Sequence, residues 1–245
     1  MNTGRYGRRG VLWVALALLG LCLAGHALHY DYVVDDAFIS FRYAQNFLQG
    51  HGLVYNPGER VEGYTNFLWV LLVALGMVAG ADPAPFSQAL GFAAAAATLC
   101  VVFLRPVALS RSPAYVRLLA PALLCLSPPF ALWSVGGLET SLFTFFVFSG
   151  LSAGARRESG ASGAVWDTVS GLSLALACLT RPEGFLAFLL VVGNRVLWPA
   201  TPGGRFPIRL VMAWAVVVVP YELWRWSYYG FLFPNSYYAK VGWGG

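Results

Sequence analysis

The chain has 245 residues, 58% of them hydrophobic and 11% charged. An average soluble domain is about 25% charged, so too few polar side chains exist to cover a water-facing surface, and an ordinary soluble globular protein is excluded. The net charge of +5 does not signal a nucleic-acid partner, because the Arg residues are scattered through short loops between apolar runs.

Arg5, Arg8 and Arg9 precede the apolar run 11–28. The segment has the look of a signal peptide, but its run exceeds the usual ~7–15 residue core and Gly25-His26-Ala27 is a weak cleavage site. It is read as a retained first membrane helix with His26 and His29 at its interface. A long loop, 29–85, follows. Asp35 or Asp36 is placed to cap a short helix that ends before Gly50-His51-Gly52. In that helix Ala37, Phe38, Phe41, Ala44 and Leu48 form an apolar stripe, with Arg42 and Asn46 opposite, the pattern of an interfacial amphipathic helix. Asn56-Pro57-Gly58-Glu59 is a turn. The run 66–81 makes a second helix, and further apolar runs cover 86–104, 114–133, 138–155, 164–180, 184–198 and 207–224. Cys22, Cys100, Cys125 and Cys178 all fall within apolar runs, without metal-type spacing, and are read as packing residues.

The positive-inside rule decides whether 66–81 crosses the bilayer. If it does, six Lys and Arg lie inside and ten outside, the reverse of the rule. If it lies on the outer interface, Arg5, Arg8, Arg9, Arg105, Arg111, Arg117, Arg156, Arg157, Arg195, Arg205 and Arg209 are inside. Only Arg42, Arg60, Arg181, Arg225 and Lys240 are then outside. The expected fold is therefore all-α. It is a polytopic membrane helical bundle of about seven spans, with amphipathic helices in the first outer loop, the N-terminus cytoplasmic and the C-terminus outside. Nine of the eleven acidic residues then face outward, all but Glu158 and Asp167. Short outer loops that each bring a carboxylate to one side suggest a shared outer cavity.

Asp35-Asp36 lies just beyond the first span. Paired carboxylates can divide the work of a general base and its orienting helper; they can also simply cap a helix. Glu139, in Gly136-Gly137-Leu138-Glu139-Thr140, opens a span from outside, where the helix dipole favours a carboxylate. It is either a dipole partner or a second acid facing the cavity. Thr180-Arg181-Pro182-Glu183-Gly184 joins two spans with almost no loop. Arg181 near a helix start suits an anion, or forms a surface pair with Glu183. The aromatic stretch from Arg225 to Lys240 is an interfacial belt or a sugar-stacking surface, and Lys240 could pair with a phosphate. His51 lies in a Gly-rich turn with no second His near enough to suggest a metal. No nucleotide fingerprint or hydrolase motif is present.

Several of these residues together resemble a known family. The run from Asp35-Asp36-Ala37-Phe38-Ile39-Ser40-Phe41-Arg42-Tyr43 through His51-Gly52-Leu53-Val54-Tyr55-Asn56-Pro57-Gly58-Glu59-Arg60-Val61-Glu62-Gly63-Tyr64-Thr65-Asn66-Phe67-Leu68-Trp69 is similar to the first outer loop of GT-C class membrane glycosyltransferases. It looks closest to terminal arabinofuranosyltransferases that use a polyprenyl-phosphate sugar. Gly137-Leu138-Glu139-Thr140, Arg181-Pro182-Glu183-Gly184 and Pro234-Asn235-Ser236-Tyr237-Tyr238-Ala239-Lys240 resemble later motifs of the same group.

The resemblance implies an enzyme of the inner or plasma membrane, with its active site on the outer face. Its partners would be a lipid-linked sugar donor, an envelope glycan acceptor and membrane lipid. It implies Asp35 or Asp36 as catalytic base. Arg42, His51, Glu62, Tyr64, Asn66, Glu139, Arg181, Glu183, Asn235, Tyr238 and Lys240 would contact substrate. Some GT-C members hold a divalent metal, here expected between Asp36 and Glu139, and others need no cofactor. Residues 1–245 would form a single transmembrane core that lacks the family's further spans and C-terminal outer domain. The rival expectations are a lipid-linked glycan flippase and a non-catalytic assembly partner. A flippase would want ionisable groups near the bilayer midplane, and the runs 11–28 and 86–104 have none there.

Overall fold

The computed structural model describes residues 3–30, 32–104, 115–156, 160–199 and 206–231. They form helices α1 (Thr3–Leu28), α2 (Ala37–Leu48), α3 (Phe67–Val78), α4 (Pro83–Leu104), α5 (Leu119–Leu126), α6 (Pro128–Val135), α7 (Thr140–Gly154), α8 (Gly160–Thr180), α9 (Gly184–Leu197) and α10 (Ile208–Tyr229), with a single 3-10 turn at Val116–Leu118. No strand occurs among the described residues. The all-α expectation holds, and every apolar run became helix.

Three helical stretches are long and apolar enough to cross a membrane: Gly10–Leu28, Pro83–Leu104 and Ser162–Thr180. A fourth is the bent pair Val116–Leu126 and Pro128–Val135. The charge rule counts seven spans where length and hydropathy count three or four, because α7 and α9 have only 15 and 14 residues and the 22-residue α10 carries Arg209, Glu222 and Arg225. The span expected over 114–133 is a bent pair of helices and not one straight helix. Its two halves bend by 64°. Pro128 and Pro129 supply no backbone N–H, and the first of them forces Ser127 out of the helical region, to φ −79° and ψ 112°.

The bundle is held by small residues. α8 lies between α7 and α10. An added Cβ at Gly150 would stand 2.6 Å from Leu174, one at Gly154 would stand 2.6 Å from Val191, and one at Gly171 would strike the backbone carbonyl of Leu210. Without a strong hydrophobic drive between helices in lipid, such close approach supplies the dispersion contact that joins them. α4 packs on α7, and α1 packs on α5 and α6. Cys125 and Cys178 are buried as expected of packing residues, whereas Cys22 and Cys100 are exposed on the outside of the bundle.

The first loop is no loose flap. α3 packs on α2, α4 and α8. Trp69, Val70 and Val73 are fully buried in a core shared with Phe41, Tyr43 and Ala44 of α2, Leu142 of α7 and Tyr229 of α10. The amphipathic reading of α2 is half right. Ala37, Phe41 and Ala44 are buried, but Phe38 and Leu48 are exposed and Asn46 is buried. Asn46 belongs inside because its Nδ2 donates to the carbonyls of Val54 (2.8 Å) and Tyr55 (2.7 Å), so the next turn wraps over it.

A buried ion pair fastens this loop to α10. Arg225 Nη1 meets Glu62 Oε2 at 2.9 Å, with side-chain exposures of 6% and 1%, and its Nε donates to Glu222 at 2.9 Å. Burial pushes the Glu62 carboxyl above the usual range, while Arg225 pulls it back. Breaking one side of a buried pair costs about 3–5 kcal/mol. Arg225→Met should therefore lower the melting temperature in detergent far more than Glu222→Gln, whose carboxylate is partly exposed, and the double change Glu62→Leu with Arg225→Met should recover part of the loss. Equal melting of Arg225→Met and the parent would show that the pair does not fasten the loop.

Candidate active site

The site forms where α2, α3, α7 and the α8–α9 turn meet. Its centre is Glu139, the residue that opens α7, whose carbonyl accepts the Phe143 N–H at 2.9 Å. The peptide before it is clamped from three directions. Val34 N–H donates to the Gly136 carbonyl at 3.0 Å. Trp69 Nε1 donates to the Gly137 carbonyl at 3.2 Å. Gly137 has φ +80°, and an added Cβ would crowd Val33, Ala37 and Ser87 within 3.0–3.3 Å. Only glycine meets both demands.

The Glu139 side chain is 10% exposed and fully engaged. Asn66 Nδ2 donates to its Oε2 at 2.8 Å and also to Ser40 Oγ at 3.0 Å. Arg181 Nη1 faces its Oε1 at 3.5 Å. Arg181 in turn holds Glu183 at 3.3 Å, the pair that was one of the two readings of Arg181, while its contact with Glu139 was not foreseen. Burial raises the Glu183 carboxyl, but its own backbone N–H and Arg181 together outweigh this, leaving it below the usual range. Asn66 Oδ1 is buried without a hydrogen-bond partner. Ser40 was not singled out from the sequence. A polar residue one turn after Asp36 on the packed side of α2 was the available signal.

Asp35 and Asp36 are exposed at the start of α2. Asp36 occupies the N-cap position, but its side chain makes no capping bond. The capping role expected for the pair is therefore filled by position only. Neither carboxylate takes part in a hydrogen bond or ion pair among the described residues. Asp36 and Ser40 are four apart, hence on one face of the helix, one turn apart, with Asp36 exposed and Ser40 in the buried Asn66–Glu139 network.

The other expected contacts are dispersed. Arg42 is exposed and donates to the Tyr55 carbonyl at 3.3 Å. His51 is exposed in the turn after α2, its N–H bonded to the Asn46 carbonyl. Glu62 is committed to Arg225. Tyr64 is buried, its hydroxyl 3.1 Å from that of Tyr229, which donates to the Leu53 carbonyl. Glu62 and Tyr64 thus build the loop and do not face an open site. Asn235, Tyr238 and Lys240 lie outside the described residues.

For the divalent ion expected between Asp36 and Glu139, a small hard cation needs only one or two carboxylates beside water and phosphate oxygens. Both Glu139 oxygens already face the Asn66 amide and the Arg181 guanidinium, and no group of three His, Cys, Asp or Glu converges among the described residues. The positive charge beside Glu139 is the guanidinium.

Comparison with known proteins points one way. The chain is 28% identical over 248 residues to a terminal beta-(1->2)-arabinofuranosyltransferase of Mycobacterium tuberculosis, covering 94% of this chain and 38% of the relative. It is 29% identical over 232 residues to a protein of the same name from Corynebacterium glutamicum, covering 85% of this chain and 33% of the relative. The resemblance read from the first loop is therefore borne out along most of the chain, which spans little more than a third of the length of these relatives. No family model matches, and no solved structure matches.

The engagement of Glu139 predicts its response to substitution. Asn66→Ala leaves a buried carboxylate short of a 2.8 Å donor and should cost about 1.5–3 kcal/mol of stability. Asn66→Asp sets two carboxylates against each other, so one must keep its proton. A group protonated in the folded state above its unfolded pKa stabilises at low pH and loses that contribution as pH rises. This variant should melt lower at pH 7 than at pH 5 relative to the parent. An unchanged difference between the two pH values would show that Asn66 and Glu139 do not touch.

Proposed function

We propose that this chain is the membrane core of a glycosyltransferase that moves a sugar from a polyprenyl-phosphate donor to an envelope glycan acceptor on the outer face. The name shared by both relatives makes arabinofuranose the first sugar to test. The observation that carries the reading is the contrast at the start of α2. Two carboxylates without partners stand one turn before Ser40, where a chain of paired groups begins that ends in a partly exposed guanidinium, Arg181.

A polyprenyl tail stays in the bilayer and presents its sugar at the membrane surface. No nucleotide is needed there, in keeping with the missing nucleotide motifs. Asp36 takes the proton from an acceptor hydroxyl, and Asp35 orients that hydroxyl. The oxygen attacks the anomeric carbon as the bond from that carbon to the phosphate oxygen breaks. The lipid phosphate leaves with the bonding electrons, and the single displacement inverts the anomeric centre. Asp36 is assigned as base because it shares a helix face with Ser40. Arg181 stabilises the departing phosphate, held in place by Glu139 and Glu183.

A general base contributes roughly 10²–10⁴-fold, and a donor aimed at developing charge roughly 10²–10³-fold. In vesicles supplied with decaprenyl-phosphate arabinofuranose and an arabinan fragment, Asp36→Asn should lose product by at least two orders of magnitude. Asp35→Asn should lose less. Arg181→Ala should cut turnover about a hundredfold while the protein still inserts and folds. Full transfer by both Asp variants would end the mechanism. Movement of donor across the membrane without product would identify a flippase, and neither activity an assembly partner.

A further inference from the structure

The first loop holds a second feature that the transfer chemistry does not use. Ile39 and Tyr43 of α2, with Tyr55, Asn56, Glu59 and Val61 of the following turn, line an open cleft of about 320 Å³. That is the lower end of the ~300–1,000 Å³ range of small-molecule sites.

The cleft is rigid. The Tyr43 hydroxyl donates to the Val61 carbonyl at 2.8 Å and accepts from the Gly63 N–H at 2.9 Å. The Tyr55 carbonyl is held by Asn46 and Arg42. Gly58, at φ +92°, closes the Asn56–Glu59 turn, in which the Glu59 N–H reaches the Asn56 carbonyl at 3.1 Å. Asn56 Nδ2 donates to Glu59 Oε2 at 3.2 Å and fixes the carboxylate. Preorganised walls reduce the ordering cost of binding.

Its chemistry is selective. The Tyr55 ring is 45% exposed, although its backbone is fixed. An amide and a carboxylate stand side by side at the rim, offering a donor and acceptors to adjacent hydroxyls. The Glu59 charge disfavours an anion. Arg42 and Arg60, both exposed on the same turn-and-helix unit, disfavour a cation. A neutral ligand with an apolar C–H face and vicinal hydroxyls satisfies all three conditions, and a sugar ring is such a ligand. Ser40 of the Glu139 network lies between Ile39 and Tyr43 in sequence, so cleft and network occupy adjoining sides of α2.

We propose that this cleft is a carbohydrate subsite that holds an acceptor sugar one or more units behind the reacting end. The proposal rests on the glycosyltransferase reading above. The test uses the full chain in lipid nanodiscs, with an arabinofuranosyl tetrasaccharide as probe and maltotetraose as control, read by saturation-transfer NMR and by transfer kinetics. Tyr55→Ala should weaken tetrasaccharide binding and raise the acceptor KM by about tenfold, with kcat at saturating acceptor little changed. Tyr55→Trp should keep both near the parent, and Glu59→Gln should raise KM a few fold. Transfer that proceeds with an unmoved KM in Tyr55→Ala and Glu59→Gln overturns the cleft and leaves the reaction standing. Absence of transfer by the parent, with tetrasaccharide binding lost in Tyr55→Ala, overturns the reaction and leaves the cleft standing.

Discussion

A carboxylate removed from water must find partners, and Glu139 is the residue on which that constraint falls hardest. Only 10% exposed, its side chain meets an amide at the start of α3 and a guanidinium from the α8–α9 turn. Residues 66, 139 and 181 are far apart in the chain, so satisfying one carboxylate fixes three segments relative to one another. The Gly136-Gly137 peptide accepts bonds from Val34 and Trp69, which brings the entry to α2 against the same point. The position of Asp35-Asp36 follows from this clamp, because these residues join Val34 to the first turn of α2.

A second constraint acts from the other side. Arg225 lies on α10, and its charge is met by Glu62 of the first loop and Glu222 of its own helix. Tyr229 reaches the same loop through Leu53 and Tyr64. The loop is therefore held at its start by the Gly136 carbonyl on Val34, and further along by Glu139 on Asn66 and Arg225 on Glu62. A general base must be held to within a fraction of an ångström of its target to be effective, and α2 is held as firmly as a core helix.

Much of this was legible in the sequence, for definite reasons. Apolar runs longer than a dozen residues have no stable alternative to helix in lipid, so the helices followed. The break at Pro128-Pro129 was written in the chain, and treating 114–133 as one span gave hydropathy precedence over the missing N–H groups. Asn46 could not be placed from α2 alone. Its partners are carbonyls of the next turn, and the turn's path is tertiary information. Glu62 and Tyr64 read as substrate contacts because they fall in the motif-rich loop. A buried carboxylate and a binding carboxylate are the same letter in sequence, and only the approach of Arg225 separates them.

That distinction also orders the acidic residues of the first loop by what they are free to do. Glu62 has spent its charge on Arg225, and Glu59 has one oxygen fixed by Asn56. Asp35 and Asp36 alone combine exposure with side chains uncommitted to a hydrogen bond or ion pair among the described residues of that loop. A carboxylate held by a cation or by charge-assisted bonds loses much of that attraction when it takes up a proton. A carboxylate without partners meets no such loss. In the proposed reaction the base is therefore sought among the residues the fold leaves uncommitted, and the paired residues around them would hold them in place and receive the leaving charge.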